Sequence, residues 1–402
     1  MSEAGRARQA TRRAAKRPSH LRVVDDAAVA PARERRPDRT VRLLLLSTAS
    51  LTLIGLAMVL SASSVSAFDQ FGSSFMFFNR QLAYALVGLL AARVTSRMRH
   101  AAWQRLSVPL LFLSGILLFV VLIPGVGRHV GGSSRWLAFG PVTIQPSELA
   151  KLATIAFVAS VLTRRIRLLD QPRRVLVPLA LVVGLVAGLI LIQPDMGTAT
   201  VVVACAFLLA FAAGARLVHL ATAGAATFVV GLGAIYAEGY RWARFISFLN
   251  PWSDPQGDGY QTIQSLIGFG SGGLFGVGLG AGRQKWLYVP NAHTDFIYSI
   301  IGEELGLVGA LLVLALFGTL VYAGIRIAVR APDTFGRLLA AGITGWFGLQ
   351  AVINLGAVTG LLPITGVPLP FVSFGGSSLV VSLAAVGILV SIGRAGVSPA
   401  RT

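Results

Sequence analysis

The chain has 402 residues, of which 54% are hydrophobic and 13% are charged, and its mean hydropathy is +0.72. So apolar a composition excludes a water-soluble domain of this size and indicates that the bilayer is the solvent. The formal net charge of +19 does not indicate nucleic acid as a partner, because twelve of the 35 basic residues lie within residues 1–42.

Residues 1–42 are rich in Arg, Ala, Pro and Asp and carry almost no aromatic side chains. This composition predicts a disordered basic tail in the cytoplasm. A solvated tail that helps to set the topology is the favoured interpretation, and contact with anionic lipid or a cytoplasmic partner is the alternative. The tail is too long and too charged for the n-region of a cleaved signal peptide, so the first hydrophobic stretch should remain as a span.

Ten hydrophobic stretches follow, each long enough to cross a hydrocarbon core about 30 Å thick as a helix. They lie near residues 43–64, 80–97, 108–123, 147–163, 175–192, 198–214, 217–236, 296–322, 337–359 and 373–392. The sequence therefore predicts an all-α, polytopic membrane protein of about ten transmembrane helices over residues 43–394, followed by a cytoplasmic tail of residues 395–402. Cys205, the single cysteine, falls within a span, which excludes an intramolecular disulfide.

Arginine is distributed unevenly between the two sets of connections. With the N-terminus inside, the inner connections and C-terminal end carry fifteen arginines, whereas the opposite connections carry six arginines and Lys285. The positive-inside rule therefore places both termini in the cytoplasm.

The connection between the seventh and eighth spans, residues 237–295, is the single long loop of the prediction, and it faces outward. Its aromatic and cationic residues suit a surface half-sunk in the membrane interface. Gly268–Gly282 is too rich in glycine for a continuous helix, and Pro363–Gly376 should be irregular for a similar reason. Function is expected to concentrate on this outer side.

A few ionisable side chains fall at membrane depth, where they normally pair, face a cavity or perform chemistry. Glu148 and Lys151 are three residues apart on one helical face. Either they form a buried ion pair that holds helices together, or Lys151 offers its cation to an anionic lipid head group while Glu148 holds Lys151 in place. Glu303 and Glu304 are predicted to make contacts between helices.

Two aspartates stand at predicted helix starts. Asp195 follows Gln193-Pro194 and is predicted to cap the sixth span. Asp295 opens the eighth span, where a carboxylate also stabilises the helix by its dipole. Asp295 is also the last residue of the long cationic and aromatic loop, at the outer mouth of the bundle. This position favours a functional role for Asp295.

Several motifs then resemble a known family. His293-Thr294-Asp295-Phe296-Ile297, followed by residues 302–306, resembles the signature of the SEDS (FtsW/RodA) family of polytopic membrane proteins. Further matching motifs lie at residues 135–136, 145–151, 193–198, 360–370 and 375–378, and the resemblance covers residues 43–394. Residues 250–255 and 288–293 are more similar to the division branch of the family than to the elongation branch. Asn291 departs from the pattern, where Glu is more usual, so no essential role is expected there.

The resemblance implies a peptidoglycan glycosyltransferase that polymerises lipid II into glycan strands at the outer face of the plasma membrane, at the division septum. It implies partnership with a class B penicillin-binding protein, which crosslinks, and with other divisome proteins. It also implies that Asp295 is the catalytic residue. The chemistry agrees, because an inverting transfer from a lipid pyrophosphate needs a base for the acceptor 4-hydroxyl and no acid for the leaving group.

The remaining expectations concern substrate binding. Cations are candidates for stabilising the leaving pyrophosphate, and a divalent cation, Mg or Mn, is a further expectation that the acids alone do not establish. The expected substrate-binding residues are Lys151, Glu148, Arg135, Trp136, Asp195, Arg244, Arg283, Lys285 and His293.

Two rival functions stay open at this stage. One is a transporter that flips lipid II, because intramembrane charges and proline-broken helices also occur in alternating-access proteins. A transporter should place its acids near the bilayer midplane, whereas Asp295 is predicted at the outer mouth. The other is a scaffold that only recruits the penicillin-binding protein, in which Asp295 would be replaceable by Asn.

Overall fold

The structure is a computed structural model that describes residues 38–130, 133–140, 142–286 and 292–396. Most of both predicted tails, and Asn291 with residues 287–290, lie outside the described residues. The first helix begins at Arg39 and the last ends at Gly396, a few residues beyond the predicted limits of the membrane domain. The division into tails and a membrane domain stays a prediction.

Helices dominate the fold. They are α1 (Arg39–Phe71), α2 (Met76–Arg97), α3 (His100–Val120), α4 (Pro146–Arg164), α5 (Leu176–Ile192), α6 (Met196–Ala212), α7 (Leu217–Tyr236), α8 (Gly239–Leu249), α9 (Tyr260–Gly272), α10 (Ile297–Val329), α11 (Thr334–Val358) and α12 (Gly376–Gly396). Two short 3-10 helices lie at Ile166–Leu168 and Pro251–Ser253.

The ten predicted spans each coincide with one helix, α1 to α7 and α10 to α12, so the prediction of a helical multi-span protein is confirmed. Within the described residues, seven helices are long and apolar enough to cross a membrane. Of the other three, α5 and α6 are apolar but have 17 residues each, and α2 has 22 residues. The side of the membrane on which each connection lies stays a prediction.

A three-stranded antiparallel sheet interrupts the helices and corrects the purely helical prediction. Its strands are β1 (Gly127–Val130), β2 (Ser133–Phe139) and β3 (Val142–Ile144), in the order β1-β2-β3. Arg128 pairs with Trp136 in this sheet, and a bulge follows Arg128. Strands this short give little period-2 signal in a sequence. The connection between α3 and α4 is therefore a second structured connection, in addition to the predicted long loop.

The long loop is itself partly helical, because it contains α8 and α9. Helix α9 ends at Gly272, and Gly273, Gly276, Gly278 and Gly280 all have positive φ. The prediction that Gly268–Gly282 is not helical throughout is therefore confirmed. A Cβ on Gly272 would lie 2.0 Å from the Gly302 oxygen, so glycine permits the close approach of α9 to α10.

The bundle packs in pairs around a core that includes Trp346 and Phe347 of α11. Helix α12 packs along α2, α10 packs against α1 and α11, and α4 packs against α3, α6 and α11. Helix α7 contributes no buried residue, which suits a helix surrounded by lipid. Gly306 has φ 67 and bends α10 after its first turns.

Connections at one end of the bundle touch each other and form the site. The Arg135 side chain of β2 donates a hydrogen bond to the Gln193 carbonyl in the turn between α5 and α6, at 3.0 Å. The Phe374 N–H donates to the His293 carbonyl at 2.9 Å and joins the segment before α12 to the turn before α10. Residues 361–375 are irregular, as predicted.

Candidate active site

Asp295 lies in a turn directly before α10, and its backbone is tied to two other segments. The Asn354 amide group donates hydrogen bonds to the Asp295 and Val367 carbonyl oxygens, both at 2.8 Å. Gly366, with φ 70, lies so close that a Cβ there would be 3.5 Å from Asp295 Oδ2. These contacts fix the turn and bring its carboxylate against the 363–367 backbone.

The surroundings make the Asp295 carboxyl more basic than usual. Burial raises its pKa from 3.8 to about 6, although Arg135 and Arg244 oppose this shift and Asp195 supports it. Such a carboxylate is ionised at neutral pH and is a better proton acceptor than an exposed aspartate. The charges of Arg135, Asp195 and Arg244 therefore all act on the Asp295 carboxyl in this structure.

Arg135 and Asp195 organise the neighbouring turn. The Arg135 guanidinium donates to the Gln193 and Pro194 carbonyls and lies 4.0 Å from Asp195 Oδ1. The buried Asp195 carboxylate accepts the Thr198 N–H at 3.1 Å, so the predicted helix cap is confirmed. Its other oxygen accepts a hydrogen bond from Gln145 at 3.2 Å. Trp136, which follows Arg135 in β2, is partly buried.

Arg244 and Arg283 lie in the long loop. Arg244, on α8, stacks over the Tyr240 ring at 5.1 Å and lines a second cavity that shares Ile364 with the cavity beside Asp295. The Arg283 backbone N–H donates to Glu303 at 2.7 Å, and its side chain is exposed. Arg244 is therefore half-buried beside this cavity, whereas the Arg283 side chain is exposed.

His293 acts as an aromatic anchor in this structure. Its ring lies 4.8 Å from the Phe77 ring and 5.6 Å from the Phe374 ring. Burial lowers the pKa of His293 to about 4, so the imidazole is neutral at physiological pH. It supplies no cation to a phosphate and instead fixes the turn that leads to Asp295.

Glu148 and Lys151 form the predicted buried ion pair. Each is 1% exposed, and Lys151 Nζ lies 3.0 Å from Glu148 Oε1. The same ammonium donates to Gln350 at 2.8 Å and lies 4.9 Å from the Trp346 ring, so it links α4 to α11. In this conformation Lys151 is closed off from solvent, and its role in holding a lipid head group stays a prediction.

Lys285 belongs to a different cluster from Asp295. It is 4% exposed and donates to Glu304 at 3.0 Å, to the Gly280 carbonyl at 2.6 Å and to Ser61 at 3.3 Å. These partners use all three N–H donors of the ammonium. The cluster joins the long loop to α1 and α10, which confirms the interhelical role predicted for Glu304. In this structure the donors of Lys285 are engaged, and its role in binding pyrophosphate stays a prediction.

The acids and histidines of the described segments form no cluster of three or more that would hold a metal ion. Both oxygens of Asp195 already accept hydrogen bonds. Magnesium often uses one or two carboxylates together with substrate phosphates, and Asp295 could supply one such ligand. The divalent cation stays a prediction.

Sequence reasoning missed Asn354 and Gly366, which fix the Asp295 turn. One signal was present, because Gln350 and Asn354 are polar and four residues apart within an apolar helix. Apart from Trp346, their partners lie on α4, in the 363–376 segment and before α10, however, and a sequence pattern does not reveal such long-range contacts.

Comparison with known proteins decides the family. A family model for FtsW, RodA and SpoVE proteins, described as "Cell cycle protein", matches residues 41–396. The chain belongs to the SEDS family. SEDS relatives include a protein named "Probable peptidoglycan glycosyltransferase FtsW" from Trichlorobacter lovleyi, 48% identical over 89% of this chain and 95% of the relative. Stage V sporulation protein E of Bacillus subtilis is 45% identical over 88% of this chain and 96% of its own.

Solved SEDS structures have the same fold. One chain, from work described as "Structural coordination of polymerization and crosslinking by a peptidoglycan synthase complex", matches with a TM-score of 0.73 and 32% identity. It covers 89% of this chain and 98% of its own. The rod shape determining protein RodA of Thermus thermophilus matches with a TM-score of 0.65 and 30% identity, over 89% of this chain and 97% of its own.

Proposed function

We propose that this protein is a peptidoglycan glycosyltransferase that polymerises lipid II at the division septum, with Asp295 as general base. The activity rests on the SEDS family and on relatives of 41–48% identity that are named peptidoglycan glycosyltransferases. The observation that carries the role of Asp295 is its setting, a carboxylate that lines a cavity, whose burial raises its pKa to about 6 and on which the charges of Arg135 and Arg244 act.

In the proposed reaction, Asp295 accepts the proton of the acceptor 4-hydroxyl. The hydroxyl oxygen forms a bond to the anomeric carbon of the donor, and the bond from that carbon to the pyrophosphate breaks with its electrons on the leaving group. Arg244, Arg135 and Arg283 stabilise the negative charge of the pyrophosphates. A penicillin-binding protein would then crosslink the strands, in line with the synthase complex whose chain this fold resembles.

The test uses the full chain, purified with its crosslinking partner and given labelled lipid II in detergent. We expect glycan polymer from the parent protein and a loss of at least about 100-fold in Asp295→Asn, because the amide cannot accept the proton. Asp170→Asn is the matched control, since Asp170 is exposed and pairs only with Arg216 among the interactions of the described residues. Equal polymer from Asp295→Asn and the parent would refute the role of the base.

The same preparation separates the rival functions. Movement of lipid II across vesicles without polymer would favour the transporter. Recruitment of the partner by a chain that makes no polymer in any variant would favour the scaffold.

A further inference from the structure

The cavity beside Asp295 contains two polar oxygen atoms that the mechanism above does not use. Asn354 and Thr365 both line it, together with Asp295 and Gly366. Asn354 Oδ1 and Thr365 Oγ1 are buried and have no hydrogen-bond partner among the described residues. Asn354 is 2% exposed, and its amide nitrogen is already committed to two carbonyl oxygens.

Buried polar atoms without partners are unfavourable, because they have lost their hydrogen bonds to water. Proteins normally pair more than nine in ten of them, so two such atoms in one cavity call for an explanation. A ligand with matching groups would remove the cost when it binds. The cavity is about 10 Å³ in volume, which is enough for about one water-sized group.

A hydroxyl group matches this cavity in size and in hydrogen-bonding capacity. It offers one donor and two acceptor lone pairs. The Asp295 carboxylate and Asn354 Oδ1 are acceptors that share the single hydroxyl proton, one at a time, and the Thr365 hydroxyl can donate to the hydroxyl oxygen. A phosphate oxygen fits less well, because it brings no donor for the two acceptors.

We propose that Asn354 and Thr365 form a subsite for the attacking hydroxyl of the acceptor sugar and orient it toward the Asp295 carboxylate. This inference rests on the proposed function. The hydroxyl donates its proton to Asp295 as its oxygen attacks the donor carbon, and Thr365 donates a hydrogen bond to that oxygen before attack. Asn354 also acts as a positioning residue, because its amide group holds the Asp295 backbone.

Thr365→Val provides a sharp test. The methyl group fits the space of a hydroxyl that has no protein partner, so a purely structural role predicts equal or higher thermal stability and unchanged activity. The proposal instead predicts about a tenfold fall in kcat for polymer synthesis, the effect of one hydrogen bond of ordinary strength. Thr365→Ser, which keeps the hydroxyl, should restore most of the rate.

Thr319→Val is the matched control, because Thr319 is a half-buried residue of α10 whose hydroxyl donates to the Ala315 carbonyl of its own helix. Parental kcat in Thr365→Val, with Asp295→Asn inactive, would overturn the subsite and leave the proposed function intact. A slow Thr365→Val variant with a lower melting temperature would also overturn the subsite, because it would indicate a structural role. Activity in Asp295→Asn would instead overturn the proposed function.

Discussion

Asp295 combines two properties. Its backbone is held in place, and burial makes the charged form of its carboxyl unfavourable. Its carbonyl is held by Asn354, while its carboxyl is buried enough to raise the pKa to about 6. The first property sets where a proton is accepted, and the second sets how strongly. Both depend on residues from distant parts of the chain.

The pKa of Asp295 predicts the pH dependence of the reaction. The base must be ionised, so kcat/KM should rise tenfold per pH unit below pH 6 and level off above it. Arg244 lowers this pKa, so Arg244→Gln should move the acid limb to higher pH. The measurement is polymer synthesis between pH 5 and about 8.5. Arg283 is not among the charges that act on Asp295, so an equal shift in Arg283→Gln would contradict the prediction.

The same raised pKa predicts a conflict between stability and activity. The folded protein holds the proton of Asp295 more tightly than the unfolded chain does, so this carboxyl stabilises the fold below pH 4 and loses that contribution as pH rises through 6. Asp295→Asn should therefore raise the free energy of unfolding at pH 8 by at most about 3 kcal/mol. Melting curves of both proteins at pH 8 and about pH 4 test this. A difference in stability between the two proteins that does not shrink at the lower pH would contradict this prediction.

At the scale of elements, two connecting pieces between helices build the site. Residues 361–375 lie between α11 and α12, and the sheet of residues 127–144 lies between α3 and α4. Asn354 fixes the first piece, and Arg135 fixes the turn beside the second. Irregular backbone at membrane depth is tolerated where protein buries it or where it lines a cavity.

The cluster of Lys285, Glu304 and Ser61 makes a prediction about how the long loop is held. Replacing one partner of a buried ion pair leaves the other charge uncompensated. Lys285→Met alone should therefore lower the free energy of unfolding by about 3–5 kcal/mol. The double variant Lys285→Met with Glu304→Gln should recover much of this loss. Unfolding of the single and double variants in detergent measures the coupling. Additive losses would show that the pair does not hold the loop to α10.

The sequence predicts the helices well and the site in part. Hydropathy reveals each span because a span needs its own apolar stretch, and Asp195 is recognisable as a cap because its partner Thr198 is local. The sequence does not reveal the ion pair of Lys285, because its partners Ser61 and Glu304 are distant in sequence. The sheet is not evident from the sequence for a related reason. Its strands are short, and pairing with one another stabilises them.

At the scale of the whole molecule, the site lies at one end of a bundle whose long axis crosses the membrane. The turns and loops that carry Arg135, Asp195, Asp295 and Thr365 meet there, and the connections that carry most of the arginines are predicted to lie on the cytoplasmic side. The proposed function requires the site to lie on the outer side of the membrane, because the glycan strands are delivered to the cell wall. The predicted orientation is therefore a requirement of the proposed function.

Cysteine labelling tests that orientation directly. Cys205 is the only cysteine and is buried, so Cys205→Ala gives a background without thiols. Gln256 and Gln171 are both exposed, the first in the long loop and the second between α4 and α5. A membrane-impermeant maleimide should label Gln256→Cys in right-side-out vesicles and Gln171→Cys only in inside-out vesicles, because the positive-inside rule places residues 164–174 in the cytoplasm. The reverse pattern would put Asp295 on the cytoplasmic side, where no glycan strand could leave it for the cell wall.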